Sequence, residues 1–276
     1  MSILNLTPDS FSDGGIHSGS DMQALEQTVQ DHIDAGATII DVGGQSTRPK
    51  AEDVGEAEET QRVVPAIQRM REMIQSQNLQ DDVAISIDTF RASVARAAVA
   101  AGAGIVNDVS AGTLDPAMLS TVAELGCSVI LMHMRGDPST MTRKENTSYP
   151  DGLLEAIGKE LHTRVEAAEA AGVRRWRIML DPGIGFAKTG KQNLEILRDF
   201  SKLRDQPQLQ GLPWVVGASR KKFLGDISGV EEPRERGWGT AVAVDVAIQG
   251  GADVIRVHDV REMVQVARVA DAIWRR

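Results

Sequence analysis

Short apolar runs in this chain are repeatedly followed by polar or charged side chains, and that is where its chemistry must be sought. Asn5 follows Ile3-Leu4, and Asp41 interrupts Ile40-Asp41-Val42 ahead of Ser46-Thr47-Arg48-Pro49. Asp88 closes Ser86-Ile87, and Asn107 and Asp108 follow Ile105-Val106. Met132, His133 and Met134 end Val129-Ile130-Leu131, Asp181 follows Met179-Leu180, Ser219-Arg220-Lys221 come after Trp214-Val215-Val216, and Arg256 and His258 end the last run. Each has a bland alternative: Asp41 could only hydrogen-bond a neighbouring loop, His133 fits a satisfied core histidine, and for Asp108 a structural role is the better reading. Together they are harder to dismiss, because charged groups directly after apolar strands are costly to bury without partners or a ligand.

The residue types sort into parts. Asp88, Asn107 and Asp181 offer carboxylate and amide groups to the edge of a flat amino-substituted heterocycle. Arg256 can stack on such a ring while presenting its guanidinium to an oxygen anion. His258, Asn5 and Arg256 then surround a place for phosphate, and the Asn5 oxygen suits Mg2+, which keeps several waters and bridges substrate phosphates. Ser219-Arg220-Lys221-Lys222-Phe223 reads as a helix start, where free N–H groups favour a carboxylate or phosphate. Two segments, Thr7-Pro8-Asp9-Ser10-Phe11-Ser12-Asp13-Gly14-Gly15 and Gly43-Gly44-Gln45-Ser46-Thr47-Arg48-Pro49, combine turn residues with one large aromatic, Phe11, and are expected to act as lids.

Positioning these groups requires an alternation of strands and helices. Strands are expected at Ile3 to Leu6, Thr38 to Val42, Val83 to Ile87, Gly104 to Asn107, Ser128 to Met132, Arg177 to Leu180, Trp214 to Val216 and Asp253 to Val257. Helices follow at Met22 to Ala35, Ala57 to Gln75, Arg91 to Ala101, Pro116 to Leu125, Leu153 to Ala171, Asn193 to Arg204, Arg234 to Gln249 and Val260 to Trp274, several ended by glycine, as at Gly36, Gly102, Gly172 and Gly251. Eight such units predict an α/β fold, a single (β/α)8 TIM barrel over residues 1–276, whose strand ends share one mouth. An open doubly wound sheet is the runner-up, but Asn5-Leu6-Thr7-Pro8-Asp9 stands where its glycine fingerprint belongs.

Composition agrees. Of 276 residues 42% are hydrophobic and only 4% aromatic, so the core must be aliphatic, as barrel interiors are. The formal charge of −9 offers no field to hold nucleic acid, so an anion must be gripped locally. A single cysteine, Cys127, excludes an intramolecular disulfide and a cysteine-rich zinc site. No run reaches the length of a transmembrane helix, and no membrane partner is expected. The first strand starts almost at the first residue, so the chain is expected to be one domain of a longer polypeptide or to lack an N-terminal extension.

These blocks resemble dihydropteroate synthases of folate biosynthesis. The resemblance runs in order through Ile3 to Gly15, Asp41 to Pro49, Ser86-Ile87-Asp88-Thr89, Val106-Asn107-Asp108, Leu131-Met132-His133-Met134, Asp181 to Lys188, Ser219-Arg220-Lys221 and Ile255-Arg256-Val257-His258-Asp259. It implies condensation of 6-hydroxymethyl-7,8-dihydropterin diphosphate with 4-aminobenzoate, with Mg2+, and competition by sulfonamides. It implies Asp88, Lys221 and Arg256 as catalytic residues, with Asp88, Asn107, Met132, Asp181, Lys221 and Arg256 on the pterin. Asn5, Arg256 and His258 would hold diphosphate, Asn5 through the metal, and Phe11, Thr47, Arg48, Pro49, Phe186, Ser219 and Lys221 would frame the aminobenzoate. The family is commonly a homodimer through its later helices, and the cytoplasm is the expected compartment, with the mitochondrion as alternative. Gln45 stands where many members have glutamate, and the hairpin that precedes strand one in the family, like the upstream folate-pathway domains of fungal versions, is absent from these 276 residues. A pterin-binding methyltransferase would share the acidic groove without needing the diphosphate grip; a non-catalytic pterin-binding barrel is the reading from another class.

Overall fold

A computed structural model describes residues 1–6, 19–45 and 54–275, with the side chains of residues 19–21 outside that description. Strands and helices alternate along it. The strands are β1 (Ser2–Asn5), β2 (Ile39–Gly43), β3 (Ala84–Asp88), β4 (Ile105–Asp108), β5 (Ser128–Met132), β6 (Ile178–Asp181), β7 (Val215–Val216) and β8 (Val254–Ile255). The helices are α1 (Gly19–Asp34), α2 (Glu56–Ser76), α3 (Ala92–Ala101), α4 (Met118–Leu125), α5 (Leu153–Ala170), α6 (Gly190–Arg198), α7 (Phe200–Arg204), α8 (Lys222–Ser228), α9 (Gly237–Gln249) and α10 (Val260–Trp274). Strands β1 to β6 form one parallel sheet in sequence order, and β7 and β8 pair as a second. Two further parallel bridges, Leu180 to Trp214 and Ser2 to Val257, join β6 to the run before β7 and β1 to the run after β8.

Parallel strands with helical crossovers bury both faces, and the two faces here are sorted by the period of two along each strand. One set, including Ile40, Val42, Ile85, Ile87, Val106, Val129 and Leu131, belongs to the large core shared with the helices. The other set forms a separate cluster in which Ile105, Ile130 and Val215 meet Met1, Ile39, Ala84, Met179 and Val254, so that β2 to β8 and the residue before β1 each contribute one side chain. Each fully buried aliphatic of this kind contributes about 1.5–3 kcal/mol. Glycines end several helices as expected; at Gly102 φ is +126°, and an added Cβ would stand 3.1 Å from Arg71 Cγ, so only glycine turns this corner without strain.

Two expectations need correction. The helix expected from Asn193 to Arg204 is two: Thr189 starts α6 early through a capping box with Gln192, and Asp199 breaks the run, its carboxylate taking Arg198 and Lys202. Phe200 thereby turns edge-on to buried Trp214, with ring centroids 5.4 Å apart. The helix expected to open at Ser219 begins three residues later, at Lys222, with no side-chain cap.

Candidate active site

On most strands, the residue two positions beyond the apolar inner side chain is polar. Ile39 is followed on the same face by Asp41, Ala84 by Ser86 and then Asp88, Ile105 by Asn107, Met179 by Asp181 and Val254 by Arg256. An apolar layer thus floors a polar one at the carboxyl ends of the strands. Register keeps that layer level: Asn5 pairs with Gly43, Gly43 with Asp88 and Asp88 with Asn107, while Met132 pairs with Asp181. Asp108 lies on the opposite face, where its carboxylate accepts from the Ser110 and Gly112 amides and the Ser110 hydroxyl; the structural reading of this residue holds.

Arg256 is the hub. Its Nε donates to Asp41 Oδ2 and its Nη2 to Asp88 Oδ2, both at 2.6 Å, and Asn107 Nδ2 donates to the same Asp41 oxygen at 3.1 Å. Asp41 is fully buried and reaches across the site to β8, where the sequence left a neighbouring loop as its alternative partner. The second oxygens of Asp41 and Asp88, with Ser86 Oγ, are buried without a hydrogen-bond partner among the described residues. Burial pushes the Asp88 carboxyl above the ordinary carboxylate range, against the pull of Arg256, and the Asp41 charge pushes the same way. Although burial disfavours its charge, Arg256 is held protonated by the two carboxylates.

Beside this cluster, Asp181 accepts the Gly183 amide at 2.6 Å, and burial raises its pKa despite nearby Lys221. Burial lowers Lys221 to about 8; its ammonium donates to the Ile184 carbonyl and lies 4.6 Å from the Phe186 ring centroid. Met132 is buried at the end of β5. Asn5 ends β1, and an added Cβ on Gly43 would stand 3.5 Å from its Oδ1. His258 Nδ1 meets Ser219 Oγ at 3.0 Å, which joins two residues expected to serve different subsites. Arg220 turns away to Asp259. Phe11, Thr47, Arg48 and Pro49 lie outside the described residues.

Sequence reasoning missed a second polar cluster behind the β6 loop. His133 is a satisfied core histidine, as its alternative reading had it, but its partners are Glu160 and Lys188, two ionisable side chains that no strand-end rule selects. A lysine within the Gly-Phe-Ala-Lys run, on a segment of strained turns, was the available signal.

A parallel α/β framework that carries at its strand ends an acid–arginine cluster partly unsatisfied among the described residues defines an α/β protein with its candidate site at that end. The family described as pterin binding enzyme matches residues 1–258, and the chain belongs to it. It is 49% identical over 275 residues to "Folic acid synthesis protein fol1" of Pneumocystis carinii, covering 100% of this chain and 36% of that protein. It is 47% identical to dihydropteroate synthase of Synechocystis, covering 100% of this chain and 90% of that one. A crystal structure of the Clostridium difficile dihydropteroate synthase in the presence of pteroic acid superposes with a TM-score of 0.87 at 38% identity, covering 100% and 96%. The chain spans about a third of the fungal protein's length and half of a plant bifunctional folate synthesis protein's.

Proposed function

We propose that the chain is a dihydropteroate synthase, joining 6-hydroxymethyl-7,8-dihydropterin diphosphate to 4-aminobenzoate. The observation that carries this reading is Arg256 clamped between Asp41 and Asp88, with one buried oxygen of each carboxylate left unpartnered among the described residues. Unpaired buried acceptors cost free energy unless a ligand supplies donors, and the ring N–H and amino groups of a pterin are such donors. The fold reading that goes with it is a closed (β/α)8 barrel, supported by the two bridges flanking the β7–β8 pair and by the one-residue-per-strand interior cluster.

In this reading Asp88, Asn107, Asp181 and Lys221 hold the pterin edge, Met132 lies against its face, and Arg256 stacks over it. Asn5, Arg256 and His258 hold the diphosphate. The C–O bond to diphosphate breaks with its electron pair going to oxygen, leaving a methylene cation delocalised into the ring. Asp88 stabilises that charge from a position fixed before reaction by Arg256. The amine lone pair of 4-aminobenzoate then forms the C–N bond, and its proton leaves to solvent. Phe186, Ser219 and Lys221 frame the aminobenzoate, together with Phe11, Thr47, Arg48 and Pro49.

Mg2+ fits the donor set as an ion carried by the substrate. The described residues hold no group of three or more His, Cys, Asp or Glu able to cage a metal, whereas an ion ligated mainly by phosphate oxygens and water needs only one protein oxygen, such as Asn5 Oδ1. When bound it would neutralise charge on the departing diphosphate. No helix among the described residues is long and apolar enough to cross a membrane, and the cytoplasm is proposed, with the mitochondrion as alternative. A homodimer is proposed through α9 and α10, whose exposed Trp238, Val242, Val269 and Ile273 suit such a contact.

The test is diphosphate release by the purified chain. Release that requires both 4-aminobenzoate and Mg2+, with 7,8-dihydropteroate as product, is expected. Binding of the pterin diphosphate without such release would leave only a pterin-binding barrel.

A further inference from the structure

The loop from Pro182 to Lys188 takes an unusual path. Gly183, Gly185 and Ala187 have φ of +68°, +83° and +50°, and the last is a non-glycine residue in the left-handed region. Such a residue costs about 1 kcal/mol and persists only where its surroundings over-determine it. Gly183 is pressed so closely on the His133 carbonyl that an added Cβ would lie 2.0 Å from its oxygen.

The surroundings of Ala187 form a closed circuit. Lys188 Nζ donates to the Phe186 carbonyl at 2.9 Å, just before Ala187, and the Tyr149 hydroxyl donates to the Ala187 carbonyl at 3.0 Å, just after it. Lys188 also reaches His133 Nδ1 at 2.9 Å and the His133 carbonyl at 3.3 Å. The Glu160 carboxylate only accepts, so His133 Nε2–H donates to Glu160 Oε2, 3.0 Å away, and Nδ1 is left to accept from Lys188. Arg135 pairs with Glu160 through Nε at 3.0 Å and lies over the Tyr149 ring at 4.0 Å from its centroid, which completes the ring. Lys188 and His133 are both buried, and burial lowers Lys188 to about 7 and His133 to about 4. None of these five side chains has a role in the proposed reaction, yet both grips flank Ala187, the residue that follows Phe186.

We propose that Lys188, His133, Glu160, Tyr149 and Arg135 are positioning residues, which hold the strained Phe186-Ala187 peptide so that the Phe186 ring stands ready for the aminobenzoate ring of the incoming amine. This rests on the synthase reading above. The circuit spans α5, the β5 loop and the β6 loop, so it ties the segment that carries Phe186 to the scaffold.

Lys188→Met is the main test. The 4-aminobenzoate KM should rise roughly tenfold, kcat at saturation should stay within about threefold, and binding of the pterin diphosphate should stay within about twofold. Hydrogen exchange at the Gly183, Gly185 and Phe186 amides should quicken, a readout independent of turnover. Tyr149→Phe, which removes one hydroxyl from a half-buried ring, should move KM in the same direction by less. Adding Ala187→Gly to Lys188→Met should recover part of the lost KM, because glycine keeps the left-handed conformation unaided. A merely stabilising role predicts no such recovery. The proposal is overturned if both substrates lose binding equally, if the aminobenzoate KM stays put, or if the double variant is no better than Lys188→Met. A wild-type chain that releases no diphosphate overturns the synthase reading instead, while the exchange data still decide whether the circuit holds the loop.

Discussion

Two polar clusters in this molecule differ in how completely they satisfy themselves. Around Arg256, one oxygen of Asp41, one of Asp88 and Ser86 Oγ are buried without partners among the described residues. Around Lys188, the ammonium uses three acceptors, His133 uses both ring nitrogens, and both oxygens of the Glu160 carboxylate are bonded. A native fold rarely leaves buried acceptors unmet, so the first cluster reads as half of an interaction whose other half is a ligand. The second is complete, which suits holding a backbone in one conformation. In the reading proposed above, satisfaction separates the cluster that binds from the cluster that positions.

That distinction is broken most severely at Arg256. Arg256→Met leaves two buried carboxylates without their counter-charge, and a loss of about 3–5 kcal/mol in urea unfolding is expected, along with loss of turnover. A variant that unfolds like the wild type would mean the pair is far better solvated than its burial indicates. Asp88→Asn is gentler, because Arg256 keeps Asp41 and the amide keeps an acceptor oxygen. Pterin diphosphate binding should stay within about tenfold while turnover falls by about 10²–10³, as expected for a charge that acts on the developing cation. Equal losses in binding and turnover, measured by calorimetry and diphosphate release, would place Asp88 in ground-state recognition alone.

The first cluster was largely legible in the sequence, because strand periodicity carries its residues to a common level. Asn107, Asp181 and Arg256 sit two positions, and Asp88 four, beyond apolar residues of the same face, and short apolar runs locate strands to within a residue or two. What could not be read was pairing across the fold. Asp41 and Arg256 are 215 residues apart, and Glu160 joins His133 from a helix face that periodicity marks only as half-buried. Phe200 meeting Trp214 after the break at Asp199, and Ser219 meeting His258 ahead of α8, are likewise contacts that local propensity does not contain. Of the residues proposed to frame the aminobenzoate, Lys221 lies against the Phe186 ring, whereas Phe11, Thr47, Arg48 and Pro49 fall outside the described residues.

Acid should pull the two clusters in opposite directions. Asp88 is pushed above its unfolded pKa, chiefly by burial, so in the window between the two values the native state holds the extra proton and acidification stabilises it. His133 is held down to about 4, by burial first and then by Lys188, against an unfolded value of about 6.5. In that window the unfolded chain takes up the proton, so stability from His133 is present above pH 6.5 and lost as the pH falls towards 4. Urea unfolding of wild type, Asp88→Asn and His133→Asn at several pH values separates the two. Relative to wild type, Asp88→Asn should gain stability as the pH rises. The deficit of His133→Asn should shrink by up to about 3 kcal/mol as the pH falls from 7 to 4. Slopes of the same sign would show that both clusters respond to acid alike, and the division between a binding cluster and a positioning one would then lose its electrostatic support.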